Sequence, residues 1–123
     1  MKAVLMIATG GALGALSRWG LAKWLDSFRG DSGLPLGIFV ANVVGCLLFG
    51  WLYGTIEEKK LLSEALRLGI FTGFLGSLTT FSTFGWNTFD LLRSGQTGLA
   101  ALNVIASVVV GICAVWAGYS LAR

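Results

Sequence analysis

An all-α integral membrane protein with four transmembrane helices is what this sequence predicts, and three observations predict it. Apolar residues make up 55% of the 123 positions and charged residues only 12%, against the roughly 25% charged residues usual in soluble domains. The 15 charged positions divide the chain into uncharged runs at 3–17, 32–56, 68–89 and 94–122, of 15, 25, 22 and 29 residues. A helix rises about 1.5 Å per residue and the hydrocarbon core is about 30 Å thick, so about 20 residues are needed to cross it. The links between runs are short, which leaves no room for an extramembrane domain. The whole of 1–123 therefore reads as a single four-helix transmembrane unit, with helices near 3–24, 34–56, 67–89 and 96–121.

The first run is short, but it continues through Arg18 to Trp24, since Arg18 and Lys23 near its end can snorkel or face protein rather than lipid. Lys2 followed by an apolar segment also fits a secretory signal superficially. Gly10, Gly11 and Gly14 suit close helix packing better than disposal. Gly10 with Gly14, Gly50 with Gly54 and Gly69 with Gly73 are all pairs of small residues four apart, which let backbones approach closely in a bilayer. No strand precedes Gly10, so a dinucleotide-binding loop is excluded. Pro35 opens the second helix, where a missing amide hydrogen costs nothing. Trp19, Trp24, Trp51, Tyr53, Trp86, Trp116 and Tyr119 fall toward span ends, as interfacial aromatics do.

The chemistry the chain lacks is equally informative. There is no His, which excludes imidazole bases and His-ligated zinc. Cys46 and Cys113 are far apart and lie inside apolar runs, which fits small buried hydrophobes rather than a redox pair or a metal knuckle. No Asp or Glu falls inside any of the four runs. A proton-coupled exporter, which needs an intramembrane carboxylate, is thereby disfavoured.

Four spans place Lys2, Lys59, Lys60, Arg67 and Arg123 on one membrane face and Arg18, Lys23, Arg29 and Arg93 on the other. An excess of five cations over four is a weak instruction for orientation. A chain that inserts both ways can pair with an inverted copy, the symmetry of inverted-repeat transporters built from separate chains. The alternative is that flanking residues impose one orientation. Four helices leave little more than a filled core, so a solute pathway is more easily built between chains than within one.

The third run holds Gly69, Gly73, Gly76, Ser77, Thr79, Thr80, Ser82, Thr83 and Gly85, an accumulation of poor helix formers that predicts a broken helix. Backbone groups freed by a break must be satisfied by protein, water or ions. Two breaks brought together by dimer symmetry would aim carbonyl oxygens at one another, and a cation between them would relieve the repulsion. Beyond the break, Phe81 and Phe84 share a face, as do Thr83 and Asn87. Asn42 lies within the second helix, and Asn103 with Ser107 forms a polar pair on the fourth. Each of these amides and hydroxyls alone is explained by interhelical hydrogen bonding. Together with the two aromatics they suggest a pathway. Its groups are neutral donors and phenyl edges, which carry the positive part of the ring quadrupole. They suit a small anion that accepts hydrogen bonds strongly, provided many weak donors offset the cost of desolvation.

The stretch Gly73-Phe74-Leu75-Gly76-Ser77-Leu78-Thr79-Thr80-Phe81-Ser82-Thr83-Phe84 closely resembles the third-helix motif of the small dual-topology fluoride channels, the Fluc or CrcB family. Gly10 to Ala15 with Arg18-Trp19 resembles the first helix of that family, and Leu36-Gly37 through Asn42 with Gly45 its second. The resemblance implies an antiparallel dimer with two pores that export fluoride passively and protect the cell from its toxicity, and so short a single-repeat chain without a targeting extension suggests a bacterial inner membrane. It implies that Phe81 and Phe84 line the pores with their ring edges, that Asn42 is a pore asparagine, and that Ser82, Thr83 and Ser107 supply hydroxyls. It further implies a structural sodium ion at the dimer interface, held by the backbone carbonyls of Gly76 and Thr79. Gly76-Ser77 stands where many members have Gly-Gly, Asn87 where many carry a glutamate, and Ile38 and Asn103 where some have Thr and Tyr. A homodimer is expected, with a heterodimer of two related chains as the alternative. A non-conducting structural subunit would explain the packing glycines but leave the broken helix without purpose, and no enzyme chemistry is expected.

Overall fold

A computed structural model describes residues 1–123. Helix α1 runs from Lys2 to Asp26, and the turn after it uses Gly30 and Gly33 at φ of 60° and 75°. Its last residue is tied to the next helix, because the Gly37 amide donates to Asp26 Oδ1 at 3.0 Å. Helix α2 spans Leu36–Glu57 and relaxes into a π-helical turn over its last stretch, Tyr53–Glu57.

The third segment is two helices. Helix α3 covers 64–78; it is capped by Ser63, whose side chain accepts from the Leu66 amide, and it is π-helical over Gly69–Leu75. At Thr79 and Thr80 the backbone is extended, with ψ of 153° and 124°. Helix α4 then runs from Phe81 to Arg93. Gly95, at φ 80°, turns the chain into α5, Thr97–Leu121. The expected interruption is present, and its position is instructive. The glycines stay helical and the two threonines carry the break, because an extended conformation is easily adopted by a β-branched residue.

The glycines instead bring helices together. A Cβ on Gly10 would sit 2.1 Å from the Gly69 carbonyl oxygen, and one on Gly14 would sit 2.2 Å from that of Phe74. These contacts seat α1 against α3. On the other side, a Cβ on Gly50 would lie 2.0 Å from Val115 O, and one on Gly118 would lie 2.1 Å from Leu47 O. Helices α1 and α3 thus form one seam and α2 and α5 another, so the pairing is interleaved along the chain. Small residues at such seams let dispersion and weak backbone contacts accumulate where no hydrophobic force acts between helices.

Three of the helices, Lys2–Asp26, Leu36–Glu57 and Thr97–Leu121, are long and apolar enough to cross a membrane. Only 17 of 123 residues are buried within the single chain, while Leu16, Trp19, Ile105, Ile112 and Trp116 are each more than 60% exposed. Apolar surface on that scale belongs against lipid or another chain. The protein is a multi-pass membrane protein.

Candidate functional site

The break between α3 and α4 is satisfied by a side chain from another helix. Asn42, on α2, meets the Thr80 peptide with both ends of its amide. The Thr80 N–H donates to Asn42 Oδ1 at 2.7 Å, and Asn42 Nδ2 donates to the Thr80 carbonyl at 3.2 Å. Thr80 is also the N-cap of α4: its Oγ1 accepts from the Thr83 N–H at 3.3 Å and donates to Thr83 Oγ1, also at 3.3 Å. Ser82 Oγ lies 3.2 Å from the same Thr80 hydroxyl. Ser, Thr, Asn and Asp favour this N-cap position because their side-chain oxygens satisfy the first free amides of a helix.

Two carbonyls are released by this arrangement. In a continuous helix, Gly76 C=O would accept from the amide of residue 80 and Thr79 C=O from that of residue 83. Those amides go to Asn42 and to the Thr80 hydroxyl. Free carbonyl oxygens at the end of α3, with no acidic, Cys or His cluster nearby, are donors suited to a hard monovalent cation. The residues expected to hold sodium therefore have the chemistry for it.

Beside the break lies a cavity of about 420 Å³ whose walls include Asn42, Gly76, Thr79, Thr80, Phe81, Phe84 and Ser107. No charged side chain lines it. Phe81 and Phe84 stand with ring centroids 5.7 Å apart and planes at 44°. Phe81 is 83% exposed on the single chain, so the most prominent aromatic at the break projects outward. Ser107 Oγ is buried and has no hydrogen-bond partner. An unpaired hydroxyl in such a setting costs about 1–3 kcal/mol unless something fills its bonding capacity.

Six of the eight residues singled out from sequence thus meet around one cavity. Ser82 and Thr83 do not line it; they cluster on the Thr80 hydroxyl instead. The expected pairing of Asn103 with Ser107 is also divided. Asn103 is buried and donates to Thr88 Oγ1 at 3.0 Å, tying α5 to α4, and it borders a separate apolar recess with Pro35 and Phe39. Four residues along a helix are about 400° apart, so a small rotation of α5 suffices to send the two side chains to different neighbours.

Sequence reasoning missed three residues here. Thr80 was legible as an N-cap three residues before Thr83. Phe49 and Phe71, which also line the cavity with ring centroids 5.0 Å apart in an edge-on arrangement, carried no signal beyond ordinary core aromatics.

Residues 5–119 match the profile of the family described as CrcB-like protein, Camphor Resistance (CrcB). The chain belongs to the CrcB family. Among its CrcB relatives, a protein of Geobacter metallireducens named fluoride-specific ion channel FluC is 45% identical over 123 residues, covering 100% of this chain and 98% of the relative. The protein of the same name from Methylobacillus flagellatus is 38% identical over 123 residues, with 100% and 96% covered. A Symbiobacterium thermophilum protein named fluoride-specific ion channel FluC 2 is 47% identical over 116 residues, 94% of each chain. These CrcB relatives are bacterial and match this chain almost end to end.

Proposed function

We propose that the protein is a fluoride-selective channel of the bacterial inner membrane that exports fluoride passively. The observation that carries this reading is the cavity beside the break. It combines the rings of Phe81 and Phe84 with the unpartnered Ser107 hydroxyl and contains no charge, in a chain similar over its whole length to proteins named fluoride-specific ion channels. Fluoride is small, strongly hydrated and a strong acceptor. Neutral donors and ring edges replace part of its hydration shell without binding it so tightly that it cannot leave. An acidic lining would repel it, and a fixed cation would hold it.

The pore in this reading is formed by Phe81, Phe84, Asn42 and Ser107 around the cavity, with the Ser82 and Thr83 hydroxyls beside it on that of Thr80, in an antiparallel homodimer with two pathways. The exposure of Phe81 supports a partner chain at this face, because half of the pathway would otherwise open onto lipid. Gly76 and Thr79 carbonyls from both copies would hold a sodium ion at the interface, whose positive charge offsets the repulsion between facing carbonyl dipoles. An inside-negative potential supplies about 2.3 kcal/mol per charge per 100 mV, a concentration ratio of roughly 50-fold, so outward fluoride movement needs neither nucleotide nor proton coupling.

The test is efflux from liposomes. Purified protein is reconstituted in vesicles loaded with fluoride or chloride, and an ion electrode records release after a potassium ionophore is added. Rapid fluoride loss with chloride retained is expected. Equal release of both ions, or retention of both by well-folded protein, overturns the reading. Because the chain is purified alone, activity in this assay also decides for a homodimer against an obligatory pairing of two related chains.

A further inference from the structure

Two amides at the break serve side chains rather than the carbonyls that a continuous helix would assign them. The Thr80 N–H goes to Asn42, and the Thr83 N–H goes to the Thr80 hydroxyl. An amide stripped of its acceptor inside a membrane is costly, and the nearest replacement is the carbonyl four residues back. For Thr80 that carbonyl is Gly76, and for Thr83 it is Thr79. Removing either side-chain acceptor therefore favours a return toward continuous helix, in which one of these carbonyls is consumed.

We infer that Asn42 and Thr80 are positioning residues that keep the Gly76 and Thr79 carbonyls available to a cation, each by capturing the amide that would otherwise close on one of them. This rests on the reading above that these carbonyls hold sodium, and it gives Asn42 a role beyond bordering the pathway. Asn42 acts between helices and makes two bonds to one peptide, the shorter at 2.7 Å. Thr80 acts within its own segment through a 3.3 Å bond. The effect of Asn42 is accordingly the larger. Ser82 and Thr83, whose hydroxyls share the Thr80 oxygen, are spectators of this capture rather than its agents.

The experiment follows the unfolding midpoint of the purified full-length protein in detergent as sodium chloride replaces choline chloride at constant ionic strength. In the unaltered protein the midpoint rises with sodium. Thr80→Val needs about tenfold more sodium for half of that rise, the equivalent of one lost hydrogen bond, and Asn42→Ala needs more still. Thr80→Ser, which keeps the hydroxyl, titrates close to the unaltered protein. Variants that titrate at the unaltered sodium concentration overturn the inference while leaving the cation in place. An unaltered protein indifferent to sodium overturns the cation reading, and the inference with it.

Hydrogen exchange on the unaltered protein needs no variant to fold. Sodium is expected to slow exchange in a peptide spanning residues 78–84 at least as much as elsewhere in the third segment. Protection confined to other regions counts against the inference.

Discussion

The two halves of the third segment are built from similar residues and spend them differently. In α3, Gly69, Gly73, Leu75 and Leu78 are buried, and the helix lies against α1 closely enough that no Cβ fits at Gly10 or Gly14. In α4 only Leu91 is buried, and Phe81, Ser82, Gly85, Trp86 and Phe89 face outward. One half anchors the break and the other presents it. In the function proposed above, the rigid side would hold the two free carbonyls steady and the open side would meet a partner or an ion.

The sharpest way to break this contrast is at the seam. Gly14→Val places carbon where the Phe74 carbonyl already stands, 2.2 Å from the Cβ position. Overpacking of this kind costs about 3 kcal/mol or more, and the expected result is loss of monodisperse protein by size-exclusion chromatography. On the open half the expectation reverses. Phe81→Ile preserves an apolar side chain but removes the ring edge, so fluoride efflux falls about tenfold or more while assembly survives, each factor of ten being about 1.4 kcal/mol at the barrier. Unchanged efflux would remove Phe81 from the pathway.

A smaller effect is expected where α4 is tied to α5. Asn103→Leu and Thr88→Val each sever the 3.0 Å bond between them, at about 1 kcal/mol apiece. The double variant should cost less than the sum of the two, as a double-mutant cycle on thermal stability would show. The smallest effect separates lipid from protein as the cover of α4. Gly20 and Gly85 both have open space where an added methyl group would stand on the single chain. Gly20→Ala should stabilise its helix by about 0.5 kcal/mol. Gly85→Ala should lose that gain if a second chain packs on α4, so equal gains at both positions would argue that α4 faces lipid.

Much of this architecture is readable from the sequence. Uncharged runs locate the spans because the bilayer penalises charge over a fixed thickness, and crowded threonines signal a helix that cannot continue. The β-branched character of Thr79 and Thr80 favours the break there over the glycines, but half of the reason lies outside the local sequence: Asn42, 38 positions away, supplies the partner that makes an extended peptide tolerable at that point. The separation of Asn103 from Ser107 was not legible either, since helical spacing reports a shared face but not which neighbour each side chain meets. Helix pairing was hidden for a related reason. Gly10, Gly50, Gly69 and Gly118 all permit close approach, and permission alone does not name a partner.

The interleaved seams bear on how the protein is made. Helix α2 finds its closest companion in α5, the latest made of these five helices, and α1 must wait for α3. Helix α1 lacks its main companion until the third segment is made, and α2, held to α1 through Gly37 and Asp26, lacks its own until α5 follows. The two seams therefore close in order, that of α1 with α3 first and that of α2 with α5 second.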